Sequence, residues 1–162
     1  MTTDAQWYEL RNLVYSKEYV SAEKLIAENP NLRDQTNSIG ETVLHFLSVE
    51  NDIEGVAWLY SCGASLNTKN RFGTPMVFEV AGLGHKDLLL WLAQHGADFS
   101  VIDDRSQYGL LEYLRRGIDK AKPHWPTYDR MQKRKEQASE MERFFAEKLP
   151  DVFQTGDQKR QI

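Results

Sequence analysis

Apolar residues fall in short bursts with helical spacing. Ala22, Leu25 and Ile26 occupy the i, i+3, i+4 positions of one face, and the sets Val56, Leu59, Tyr60 and Leu88, Trp91, Leu92 repeat that arrangement. Such a period predicts amphipathic helices. Thr3 with Gln6 forms a capping-box pattern ahead of a helix over about 4–16. Between the bursts, 67–73 and 101–106 are polar, turn-rich segments suited to projecting loops. Each helix is too short to persist alone in water, so stacking of one helical unit on the next must hold the chain together. If Trp58 and Trp91 are both buried, truncating either to alanine costs ~3–5 kcal/mol. Further on, Pro123 and Pro126 mark a linker over 119–127. One longer stripe then runs through Tyr128, Met131, Lys135, Ala138, Met141, Phe145 and Leu149, opposite Lys133, Arg134, Glu136, Glu140 and Glu147. This predicts an amphipathic helix over 128–149, followed by a polar, flexible tail at 150–162. The helix has two readings: it packs over the end of the preceding unit, or it offers its apolar face to a partner or a second copy.

The bursts are copies of one another. Sliding Gly40–Asn67 along by 33 residues sets it on Gly73–Ser100, with Gly40 on Gly73, Trp58 on Trp91, Leu59 on Leu92 and Gly63-Ala64 on Gly96-Ala97. Two tryptophans coincide at one offset in a chain that holds only four. The same offset upstream puts Leu25-Ile26 on the Trp58-Leu59 slot and Pro30 on the Gly63 slot. Downstream it puts Leu110 on the slot of Leu44 and Val77, and Gly117 on that of Gly84. The outer copies are degenerate, as terminal units with one face toward water are.

At these residues the chain resembles the ankyrin-repeat family: G-x-T-x-L-H at Gly40–His45, Gly84-His85, then H-G-A-D at His95–Asp98, on the family's period. The resemblance covers about residues 5–118. Thr74-Pro75 stands one place early, Phe78 replaces the family's histidine, and Lys122-Pro123 breaks the chain where the last unit's second helix belongs. The implied fold is all-α: an ankyrin-repeat solenoid of about four units over 1–118, with a long C-terminal capping helix. His45 sits where the family uses histidine to hydrogen-bond neighbouring turn backbone.

Composition narrows the function. The net charge is -4, and 27% of residues are charged, which argues against a general nucleic-acid binder. Cys62 is the one cysteine, so no intrachain disulfide forms and a reducing compartment fits. The N-terminus shows no secretory pattern and no apolar run is long enough to span a bilayer; the cytoplasm is the default location, with no membrane partner.

No residue set points to catalysis. The histidines lack metal-ligand spacing, no C-x-x-C exists, and no phosphate-binding glycine loop is present. His85 starts a helix, His95 ends one, and His124 lies in the linker. Cys62 reads as an inert, partly buried thiol. Asp103-Asp104 reads as a solvated loop or turn, and Arg130–Lys135 as the solvated side of the long helix. No cofactor and no metal is called for.

The resemblance implies a concave face of loop tips and first-helix positions. It falls on Ser38, Ile39, Glu41, Val49 and Glu50; on Lys69, Arg71, Phe72, Thr74 and Leu83; and on Asp104, Arg105, Gln107, Arg115 and Arg116. Ile39, Val49, Phe72 and Leu83 place apolar groups beside arginines, the make-up of a protein-binding hot spot; the alternative is that Phe72 and Leu83 pack locally. The arginines of the third unit suit an acidic partner. The expected function is non-enzymatic: a monomeric module that engages one protein, in one specific form an inhibitor or immunity protein neutralising a toxin or effector domain, as in small free-standing bacterial ankyrin proteins. The alternative is a regulatory or scaffold protein in a signalling or transcription complex.

Overall fold

The computed structural model describes residues 3–116 and 128–152. Within them the chain is all-α. The helices are α1 (Thr3–Tyr15), α2 (Tyr19–Glu28), α3 (Val43–Val49), α4 (Ile53–Ser61), α5 (Met76–Gly82), α6 (Lys86–Gln94), α7 (Leu110–Arg116) and α8 (Tyr128–Lys148), with a 3-10 turn at Pro30–Asp34. The linker at 119–127 (with His124), residues 153–162 of the expected tail, and the side chains of Thr3 and 128–134 lie outside the described residues, and with them the Thr3 capping box and most of the basic run. Residues 150–152, expected to begin the flexible tail, are instead helical, and Val152 packs against the core. No described helix is long and apolar enough to cross a membrane.

The helices pair in sequence, α1 with α2, α3 with α4 and α5 with α6. The first members also pack on one another, α1 on α3, α3 on α5 and α5 on α7. One apolar core runs through the row, from Trp7 and Leu10 through Leu44, Leu47, Leu59, Phe78, Leu89 and Leu92 to Phe145. The caps follow the local sequence. Thr42 Oγ1 accepts from the His45 amide (3.1 Å) at the start of α3, and Asp52 Oδ1 from the Gly55 amide (3.1 Å) at the start of α4. At α5 the cap is Pro75, which has no side-chain acceptor. The displaced Thr74 instead donates its hydroxyl to Asp103 Oδ1 at 3.0 Å, so the shift of Thr-Pro by one place turns a cap into a tie between loops.

The period in the letters reappears in the backbone. Asn37 and Asn70 fold their loops alike: each side-chain carbonyl accepts from the amides two and four residues on (2.9–3.1 Å). Asp34 Oδ1 takes the Ser65 amide (3.0 Å), and Asn67 Oδ1 takes the Asp98 amide (2.8 Å), linking unit to unit at equivalent places. Gly40 and Gly73 sit at φ 78° and 80°, and a Cβ on either would press into the next loop, 2.7 Å from Arg71 or 2.4 Å from Asp104. Both the left-handed backbone and the close approach demand glycine there. In the third loop one residue is inserted and Gln107 takes the left-handed place, at φ 61°.

Trp58 and Trp91 hold matching positions on α4 and α6. Tyr19 stacks on Trp58 at 5.2 Å, and Tyr60 meets Trp91 edge-on at 5.6 Å. Both indoles are half-buried rather than enclosed. The buried faces centre on the next residues, Leu59 and Leu92, and successive helix positions are turned well apart around the axis. Alanine at Trp58 or Trp91 is therefore expected to cost less than the ~3–5 kcal/mol of a fully buried ring, as urea unfolding would show. Among the described residues the enclosed indole is Trp7, whose Nε1–H donates to the Glu41 carbonyl at 2.9 Å.

Among the described residues, the helix that follows α7 and packs on it is α8. It packs on α7 and α5, burying Ala138, Met141 and Phe145, with Phe145 edge-on to Phe99 at 6.1 Å. Arg115–Glu142 and Lys86–Glu140 ion pairs flank the contact. Of the two readings for this helix, packing over the end of the preceding unit is the one observed.

Candidate functional site

The loops project their tips to one another. Gly40 lies against Arg71 and Gly73 against Asp104, and the Asp104 amide donates to the Gly73 carbonyl at 3.1 Å. The side chains one residue before each glycine, Ile39 and Phe72, point outward and are 44% and 41% exposed. The guanidinium carbons of Arg71 and Arg105 each stand 4.6 Å from the centroid of Phe72. Both cations thus stand within cation–π distance of the ring. Among the described residues neither arginine forms an ion pair, whereas neighbouring Lys69 is bound to Asp104 at 2.7 Å. The tip region therefore presents a rigid aromatic ring and two uncommitted positive charges.

The other expected binding residues divide. Glu50 is exposed just past α3, and Leu83, at 55% exposure, caps α5. Val49 is half-buried, and its carbonyl accepts from His85 Nε2 at 2.8 Å. Arg115 is held by Glu142 and Arg116 approaches Glu112 at 3.6 Å, so both charges are partly spent on α8 and on α7 itself. Arg71, Phe72 and Arg105 are brought together, Ile39 is exposed on the preceding loop, and Glu41 is turned elsewhere.

Asp103 is not a solvated loop residue. It is buried, accepts from the Ser106 hydroxyl (2.7 Å) and amide (2.8 Å), and takes the Thr74 hydroxyl. Burial pushes its carboxyl up, but the Ser106 and Thr74 hydrogen bonds outweigh this and hold it below the ordinary carboxylate range. Only Asp104 faces solvent. For Cys62, burial pushes the thiol above its ordinary value, which disfavours the reactive thiolate.

Glu41 belongs to a second constellation. His45 is fully buried; its Nδ1 lies 2.9 Å from Thr68 Oγ1 and its Nε2 2.5 Å from Glu79 Oε2. The ring thus bonds side chains of the next loop and helix, not turn backbone as the resemblance implied. Asn70 Nδ2 donates to the other Glu79 oxygen at 2.9 Å. One carboxylate oxygen of Glu41 joins them, so that one donor atom from each of Glu41, His45 and Glu79 lies within 4.8 Å of the others. Burial, then the Glu79 charge, pushes the Glu41 carboxyl up against the opposing pull of His45. In the sequence, Glu41 and His45 stand at a helical i, i+4 spacing, but Glu79 is 34 residues beyond His45 and only the packing of α3 on α5 brings it in.

No protein-family model matches the chain.

Proposed function

We propose that the chain is an ankyrin-repeat protein of about four units that holds one protein partner through its loop tips and first-helix face, without catalysis, and that it acts as an inhibitor or immunity protein covering a cognate toxin. The observation that carries this reading is Phe72, exposed at a loop tip with the guanidiniums of Arg71 and Arg105 both close to its ring. Ile39 lies one repeat before it and Arg105 one repeat after. Clustered aromatic and arginine side chains at the centre of a rigid patch are the residues that dominate protein–protein affinity. Their unpaired positive charge favours an acidic partner surface and an affinity that weakens with added salt.

The test starts with capture of the partner from the native host, followed by a binding titration and a toxicity-rescue assay. Phe72→Ala is expected to weaken binding by at least ~10-fold, about 1.4 kcal/mol, and to lessen protection in step. Unchanged affinity in both Phe72→Ala and Arg105→Ala would remove this face from the interface. Many unrelated partners and no protection against any toxin would favour the regulatory or scaffold alternative.

A further inference from the structure

We propose that Glu41, His45 and Glu79 form a binding site for a divalent cation of the zinc type. Three features carry the assignment. The first is the donor set: one imidazole nitrogen and two carboxylate oxygens gathered within 4.8 Å. Three N/O donors with a position left for water is the form of an open zinc site, and the imidazole argues against magnesium or calcium, which take oxygen donors.

The second feature is the support behind the donors. His45 Nδ1 faces the Thr68 hydroxyl, which can accept the Nδ1–H and so leave the Nε2 lone pair for a metal. Asn70 holds the far oxygen of Glu79. Orienting bonds of this kind, from a ligand's other atom to the protein, are what fix metal ligands in place. The third feature is charge and access. The Glu41 carboxylate has no hydrogen-bond partner among the described residues, and it stands close to a second carboxylate beside a fully buried ring. Both glutamates are half-buried, so the site opens to solvent on their side while His45 closes it beneath.

The geometry needs a small adjustment. Bonds of ~2.0–2.2 Å at tetrahedral angles set donor atoms about 3.3–3.6 Å apart. His45 and Glu79 must therefore open from 2.5 Å, and the widest pair must close from no more than 4.8 Å. Both are movements on the order of 1 Å, within the reach of two glutamate side chains.

The experiment uses the full chain after chelator treatment. Zn2+ is titrated calorimetrically, and the thermal midpoint is followed as Zn2+ is added. One saturable equivalent and a midpoint that climbs with Zn2+ are expected. Glu41→Gln and Glu79→Gln should each weaken that binding at least tenfold, while His95→Gln, away from the cluster, should leave it unchanged. Glu41→Gln retains the backbone carbonyl that Trp7 uses, so it keeps the test decisive even if Glu79→Gln fails to fold. Absence of a saturable Zn2+ equivalent, or full-strength binding retained in Glu41→Gln with native circular dichroism, would overturn the assignment.

Discussion

At the scale of single residues, Asp103 shows how position outranks letter. It stands one period after Asn70 and two after Asn37 and, like them, organises its loop through its side chain, but as an anion it draws in hydroxyls as well as an amide. Folded, this carboxyl gives up its proton more readily than in the unfolded chain. The unfolded state therefore binds more protons around the ordinary value of 3.8, and stability rises with pH there. The contribution is complete above that value and fades as pH falls through the lower, folded one. Asp103→Asn is expected to lose ~1–2 kcal/mol near neutral pH, and the gap to the parent should narrow below about pH 4 in urea unfolding followed against pH. The role was hard to read from sequence because the inserted residue before Gln107 breaks the alignment of the third loop, and because adjacent aspartates look alike until packing buries one. His45 was half legible for a related reason: its place in the motif was visible, but its partners Thr68 and Glu79 belong to the following loop and helix.

At the scale of elements, the loops are held by contact with each other as much as by their own turns. Gly73→Ala meets both a left-handed backbone and a Cβ placed 2.4 Å from Asp104, whereas Gly84→Ala meets only the backbone, at φ 75° with nothing within 4 Å. Gly84→Ala is expected to cost ~1–2 kcal/mol and Gly73→Ala clearly more. Equal losses in chemical unfolding would mean that the loop-to-loop contact contributes nothing. The elements were unevenly legible. The second helices α2, α4 and α6 announced themselves because one face is apolar and the other polar. The seven-residue α3 and α5 did not, since Val43, Leu44, His45, Leu47 and Ser48 of α3, and Met76, Val77, Phe78, Val80 and Ala81 of α5, are buried, and a helix enclosed on most sides carries little amphipathic period. Their existence followed only from the repeat and the resemblance it supports.

At the scale of the whole molecule, a row of stacked units leaves two open ends, and the chain treats them differently. One end carries α1, whose Trp7 reaches into the next unit. The other carries α8, whose Phe145 is fully enclosed between the last helices. Phe145→Ala is expected to cost ~3–5 kcal/mol. Loss of the exposed Arg115–Glu142 pair by Arg115→Ala should change little, within ~1 kcal/mol; thermal melts of the two variants would separate packing from charge. Because α8 already occupies the seat that another copy would need, the molecule cannot lengthen by growth at that end. A duplicate of residues 40–72 spliced between its interior neighbours would find matching surfaces on both sides, so this architecture gains length from within while its terminus stays sealed.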